Sequence, residues 1–204
     1  MNGKKDYHIQ LINLCKYYED KCIFKDFSMG FEKNKITTIV ASSGYGKTTL
    51  LNIISGLENL DSGEVIVKSK NISYMFQEDR LMPWLTVYEN IAFVLKSLMD
   101  NEEIKDRVEK YLKLVRLEDA KEMYPEKLSG GMNRRVALAR SLAYKSDILL
   151  MDEPFKGLDL KLKEEIIKDF YDLWTKEKNT VILVSHDLKE AELLKSEIAY
   201  LENK

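Results

Sequence analysis

The stretch ASSGYGKTT, residues 41–49, sets two glycines, a lysine and two threonines between an apolar run and a helical one. Backbone N–H groups at Gly44, Tyr45 and Gly46 can wrap phosphate oxygens there, helped by the N-terminus of the helix that follows. Lys47 can reach the β- and γ-phosphates of a nucleotide, and the Thr48 hydroxyl can hold Mg2+. Ser43 and Thr49 complete the phosphate-binding set. Ala41 stands where the strict pattern has glycine, and its Cβ is tolerated only if that residue keeps a negative φ. A second glycine turn, Ser129–Gly130–Gly131, precedes another helical run and suits an anion equally well. Two anion turns in one chain call for an explanation.

A phosphate loop needs an acid on a neighbouring strand end. ILLMDEP, residues 148–154, supplies one: four apolar residues bury a strand and Asp152 emerges at its carboxyl end, where parallel sheets gather ligands. Asp152 would hold the metal through water. Glu153 is placed to polarise an attacking water. TVILVSHD, residues 180–187, repeats the pattern and brings His186 out at the same sheet edge, within reach of a γ-phosphate.

These groups must be positioned by alternating elements. Strand-like content fills the first third, interrupted by a helix over GKTTLLNIIS that stops at Gly56. Val87, Ile91, Val94, Leu95 and Leu98 predict one amphipathic helix, and Ile104, Val108, Tyr111, Leu112 and Val115 a second. Met132, Val136, Ala139 and Ala143 mark a third, and Leu162, Ile166, Phe170 and Leu173 a fourth. Buried strands alternating with helices imply a mainly parallel sheet, with an antiparallel β subdomain ahead of it and a helical insertion at about 80–145. The expectation is one α/β domain over residues 1–204 with a P-loop core.

Composition narrows the function. Charges nearly cancel, at −2 overall, which argues against a nucleic-acid partner. The Lys/Glu alternation over 161–168 reads as a solvated helix face. Two cysteines without metal spacing read as reduced thiols. Absence of a long apolar run predicts neither a signal peptide nor a membrane span, so any membrane role must come through a partner.

Taken in order, SGYGKTT, FQED, LSGGM, ILLMDEP, GLD and SHD resemble the ATP-binding subunit of ABC transporters from about residue 7 onward. The resemblance implies ATP and Mg2+ as cofactors and ATP hydrolysis as the activity. It assigns adenine stacking to Tyr18, with Tyr17 as rival, and metal contact and permease sensing to Gln77. It assigns the signature loop to Ser129, Gly130 and Gly131, the D-loop aspartate to Asp159, the catalytic glutamate to Glu153 and the switch histidine to His186. It also implies that two copies pair head to tail, each nucleotide lying between one copy's P-loop and the other's signature loop. The second anion turn thus serves the partner's ATP.

Met132 after LSGG, together with LMPWLTV, resembles the nitrate, sulfonate and taurine importer branch. That implies integral membrane permease subunits, an extracytoplasmic solute-binding protein further off, and a place at the cytoplasmic face of the membrane. Leu81, Met82, Pro83 and Trp84 would together form the apolar patch meeting the permease. The short stretch after Tyr200 is expected to leave no room for a C-terminal regulatory domain. An exporter or lipoprotein-release ATPase, a DNA- or ribosome-directed ABC ATPase and a non-catalytic regulatory module stand as alternatives.

Overall fold

The computed structural model describes residues 6–41 and 44–201, so Ser43 of the phosphate-binding set lies outside the described residues. The chain opens with two long antiparallel strands, β1 (Tyr7–Tyr18) and β2 (Lys21–Glu32). β3 (Ile36–Val40) runs into the phosphate turn, and α1 (Lys47–Ser55) follows it. β4 (Ser62–Val67) returns to β1, giving a three-stranded antiparallel sheet in the order β2-β1-β4.

The second sheet is wholly parallel. It takes in β5 (Ile72–Met75), β6 (Ile148–Asp152), β7 (Thr180–Ser185) and β8 (Glu197–Tyr200), in the order β5-β6-β7-β3-β8. Between β5 and β6 lie the helices α2 (Val87–Ala92), α3 (Asn101–Leu114) and α4 (Gly130–Ala143). α5 (Leu160–Glu177) and α6 (Leu188–Leu193) complete the crossovers to β7 and β8.

Period-2 alternation of the buried strands divides the interior into two cores. Ile39, Ile148, Leu150, Ile182 and Val184 face β1, β2 and α1, where they meet Leu50, Leu51, Ile53 and Ile54. Leu149, Met151, Val181 and Leu183 face the other way, against α2 to α5. Each fully buried aliphatic side chain contributes about 1.5–3 kcal/mol, so both layers are held by the same short strands. α1 and α4, the helices that follow the two anion turns, therefore belong to opposite faces of one sheet.

One predicted element is shorter than expected. The Val87–Leu98 stripe is not a single helix: α2 ends at Ala92 and a 3-10 turn covers Phe93–Leu95. Tightening to three residues per turn breaks the i, i+11 alignment. Leu95 stays buried, whereas Leu98 is 50% exposed. Asp100 then starts α3 with its own capping box.

The residues ahead of α2 are held by a buried amide. Asn90 is fully buried; its Oδ1 accepts from the Met82 N–H at 2.9 Å, and its Nδ2 donates to the carbonyls of Met82, Leu85 and Thr86 at 3.0–3.1 Å. Removing that amide would take this partner from the Met82 N–H and the Leu85 carbonyl at once. Asn90→Ala is expected to lose about 2 kcal/mol of stability, read as a lower urea midpoint with an unchanged slope. A loss under about 0.5 kcal/mol would mean that the loop is held by something else.

Candidate functional site

The carboxyl ends of β3, β7 and β6 lie side by side, with Val40 opposite Ser185 and Val184 opposite Asp152. The phosphate turn, His186 and the Asp152–Glu153 pair therefore leave the sheet along one edge, as the strand ends required. Gly44 and Gly46 both take positive φ, +85° and +78°. A Cβ at Gly46 would lie 2.5 Å from Ile23 Cγ2, so the turn is pressed against β2, while Gly44 has nothing within 4 Å of its missing Cβ. Ala41 is not among the positive-φ residues, so alanine fits where the strict pattern has glycine. Its carbonyl accepts a 2.8 Å bond from Lys47 Nζ, which folds the lysine back over the turn. No side chain caps the start of α1, which leaves its first N–H groups to an anion.

Thr48 Oγ1 donates to Asp152 Oδ2 at 2.6 Å, joining α1 to the end of β6. Two hard oxygen donors thus meet at the phosphate turn, a donor set that suits Mg2+. Among the described residues no group of three or more His, Cys, Asp or Glu could hold a metal ion alone. Burial pushes the Asp152 carboxyl up, opposed by the Thr48 hydrogen bond. A cation placed there relieves that penalty.

Glu153 is held in a strained conformation. Its φ is +49°, unusual for a non-glycine residue and doubly so before Pro154. Such geometry costs about 1–3 kcal/mol and persists only where the surroundings dictate it. Here the Glu153 N–H donates to the Val184 carbonyl at 3.0 Å, and its own carbonyl accepts from Arg134 Nη2 at 2.7 Å. The carboxylate lies 2.6 Å from Lys156 Nζ and 3.5 Å from His186 Nδ1. Burial raises its pKa, but the Lys156 hydrogen bond and charge, with His186, hold it below the usual carboxylate range.

Arg134 was not singled out by sequence reasoning. It is 5% exposed. Nη1 donates to the carbonyls of Phe76 and Gln77 and to Asp79 Oδ1 at 2.9–3.0 Å, and Nη2 donates to the carbonyls of Asp152 and Glu153. A helix-period signal existed, because Arg134 shares the buried face of α4 with Leu138 and Ser141.

The remaining predicted residues fall around this edge in different ways. Gln77 is exposed, and its backbone carbonyl is engaged by Arg134. Ser129 caps α4 by accepting from the Met132 N–H at 3.3 Å, with Gly130 exposed beside it. A Cβ at Gly131 would lie 3.4 Å from the Gly157 carbonyl, so this turn neighbours the GLD segment. Asp159 caps α5 through the N–H groups of Lys161 and Leu162. Tyr17 and Tyr18 are both exposed at the end of β1, with Lys16 Nζ 4.9 Å from the Tyr18 ring centre. Tyr45 and Thr49 are partly open. The structure does not draw the Ser129 turn toward α1: α4 packs on α2, α3 and β5, whereas α1 packs on β4 and β6.

Two sequence expectations need correction. The 161–168 stretch is not simply a solvated face, because Lys163 Nζ turns inward to Asp187 at 2.6 Å and Glu190 at 3.1 Å. Glu190 also accepts from Ser185 Oγ at 2.7 Å, so the His186 turn is pinned from α5 and α6 together. A cation period of two or three along the helix could not reveal partners 24 and 27 residues away. The 81–84 patch is likewise smaller than expected: Leu81 packs into the helical core and Met82 is half-buried, while Pro83 and Trp84 stand out, Trp84 at 72% exposure.

Phosphate turn, buried acid and parallel sheet edge together define a P-loop nucleotide-binding protein. The family model for ABC transporters matches residues 24–156. The aliphatic sulfonates import ATP-binding protein of Bacillus cereus is 37% identical over 207 residues, covering 96% of this chain and 82% of that one. The spermidine/putrescine import ATP-binding protein of Thermotoga maritima is 37% identical over 204 residues, covering 95% of this chain and 55% of that protein. Among solved structures, a dimeric ATP-binding cassette in a post-hydrolysis state bound to ADP and Pi matches with a TM-score of 0.86 at 31% identity, over 95% of this chain and 94% of that one. The chain belongs to the ABC transporter family, as its ATP-binding and ATP-hydrolysing subunit, with ATP and Mg2+ as cofactors. No helix among the described residues is long and apolar enough to cross a membrane.

The Lys163 network makes a prediction with a sign. Asp187 is held low by Lys163, and Lys163, though lowered by burial, is raised on balance by Asp187 and Glu190. A depressed carboxyl stabilises above its unfolded pKa and loses that contribution as pH falls. A raised lysine stabilises below its unfolded pKa and loses that contribution as pH rises. Lys163→Met is therefore expected to cost about 2–3 kcal/mol near neutrality, with the gap from wild type closing below about pH 4 and above about pH 10.5. Denaturant titrations across pH check this; a gap independent of pH would show that lost packing, not charge, sets the cost.

Proposed function

We propose that this chain energises import of a sulfonate-like small oxyanion, working as one of two copies at the cytoplasmic face of a membrane permease. An extracytoplasmic binding protein would supply the solute. The sulfonate import proteins of Bacillus support the solute class, and the polyamine and sulfate import relatives mark its limits. The observation that carries the site assignment is the 2.6 Å bond between Thr48 and Asp152 beside the Lys47 turn. It brings phosphate-binding and metal-binding groups to one point.

In this reading Lys47 and the amides of residues 44–49 take the charge of the β- and γ-phosphates. Thr48, Asp152 and Gln77 hold Mg2+, which when bound polarises the phosphoryl oxygens. Glu153 orients the attacking water and His186 holds the γ-phosphate, with Tyr18 stacking on adenine. Glu153 must first release Lys156, whose Nζ occupies one carboxylate oxygen. The Ser129–Gly130–Gly131 turn would address the nucleotide of the second copy, with Asp159 beside it; the position of α4 on the opposite face of the sheet from α1, and the nearness of Gly131 to the Gly157 carbonyl, support this. Dimeric cassettes of the same fold support the pairing.

Glu153→Gln is expected to bind ATP at near wild-type affinity, to lose hydrolysis by about a hundredfold or more, and to accumulate as a dimer with ATP. Phosphate release and size-exclusion chromatography measure both effects. Hydrolysis at the wild-type rate would remove Glu153 from the mechanism.

Trp84 is the residue proposed to meet the permease. Trp84→Glu should leave ATP binding by the isolated subunit unchanged and abolish solute-stimulated ATPase activity in the assembled transporter. Normal stimulation in proteoliposomes would place the coupling surface elsewhere.

A further inference from the structure

At the end of the parallel sheet away from the phosphate turn, the chain encloses a cavity of about 1020 Å3. It opens where β3, β6 and β7 begin, and α3, the last turn of α5 and the loop after β4 wall it. Among the described residues, all fourteen that line it are polar or charged, which sets it apart from a packing defect and from the apolar pockets that take hydrophobic ligands.

Six of them are cations: Lys33, Lys68, Arg107, Lys145, Lys176 and Lys178. Three carboxylates oppose them, Asp6, Asp147 and Glu177, leaving an excess of 6 − 3 = 3 positive charges with His8 neutral. Asp6 is engaged by Lys68 at 2.7 Å, and Glu177 is paired with Lys110, outside the cavity. Lys33, Lys145, Lys176 and Lys178 make no ion pair with a carboxylate among the described residues. Concave walls of one charge sign concentrate an anion more strongly than a flat surface does.

Two of the lining residues also carry a buried polar atom with no hydrogen-bond partner among the described residues. Ser146, at 8% exposure, has an Oγ with no hydrogen-bond partner, and Arg107 Nη2 is buried without one, although Arg107 Nε donates to the Ala143 carbonyl. Orphaned buried donors cost about 1–3 kcal/mol each, a cost that is relieved if a ligand draws either side chain toward the cavity. His8 lies on the same wall: its Nδ1 is 2.6 Å from Thr180 Oγ1, and burial, followed by the Lys33 charge and opposed by Asp147, pushes its pKa below the ordinary value.

We propose that this cavity binds a small, multiply charged phosphate compound, at a site separate from the P-loop, held by the lining cations Lys33, Arg107, Lys145, Lys176 and Lys178. Because Arg107 comes from the helical insertion and Lys33 from the turn that leads into β3, one bound anion would tie the two parts together. The binding does not depend on the transport reading above.

The test uses Lys47→Ala protein, in which the P-loop is weakened, and calorimetric titration with inorganic pyrophosphate and, in parallel, ADP. One equivalent of either ligand should bind. Preference for pyrophosphate would assign bare phosphates, and preference for ADP a nucleotide. Adding the exposed-site reversals Lys33→Glu and Lys145→Glu should weaken that binding about tenfold or more without changing the unfolding midpoint. The chain has two histidines, so ring NMR gives a second reading: ligand should move the His8 signals and leave those of His186 in place. Failure of both ligands to bind the Lys47→Ala protein, binding unaffected by the reversals, or movement of His186 alone would each overturn the proposal.

Discussion

The buried guanidinium of Arg134 is the joint on which the nucleotide edge depends. Burying a cation to 5% exposure is costly unless its donors are used; Arg134 leaves Nε without a partner among the described residues, but its two terminal nitrogens reach separate segments. Gln77 and Asp79 come from the loop after β5, Asp152 and Glu153 from the end of β6, and Arg134 itself from the helix that follows the second glycine turn. Movement of α4 must therefore carry the Gln77 loop and the two acids with it, or break charge-assisted bonds in a low-dielectric interior. That is a physical route by which the turn ahead of α4, the Gln77 loop and the Asp152–Glu153 pair can influence one another.

Glu153 shows what that joint holds in place. Its backbone occupies the left-handed region with proline next in sequence, a combination local preference disfavours. Bonds from Arg134 and to Val184 fix the backbone, so the carboxylate has few orientations left. In this conformation it is committed to Lys156 and lies near His186. Pairing with a lysine keeps the acid ionised and occupies one of its two oxygens. The ion pair and the strain are thus two separate constraints on one residue, the first on its side chain and the second on its backbone.

Much of this was legible in the residues alone. Strand runs ending on ASSG, DE and SHD had to bring their last residues to one edge, because parallel strands share a direction. The fold class, the phosphate turn and α1 stopping at Gly56 follow from such local rules. Where the reading fell short, the cause is long-range. Lys163 looked like one of several surface lysines because its partners lie on the other side of a crossover. Leu98 left its predicted face because the chain tightens into a 3-10 turn and the capping box at Asp100 starts a new helix. Arg134 was hidden by its charge: a helical-period count that admitted a buried arginine would have found it. Leu81 and Trp84 show the same limit, since adjacent apolar residues in a loop carry no period to say which of them points inward.

The two anion turns follow from the same geometry. Alternation along β6 and β7 sends neighbouring side chains into different cores, so α1 must pack on one face and α4 on the other. A nucleotide seated on the α1 turn is then addressed by the Ser129 turn of its own chain only if α4 leaves the core that holds Val136, Leu138 and Ala139. Burying those residues contributes several kcal/mol, at about 1.5–3 kcal/mol for each large side chain, more than a pair of backbone N–H contacts to phosphate would supply. The lower-energy arrangement therefore keeps α4 in its core, with the Ser129 turn and the α1 turn on opposite faces of the sheet.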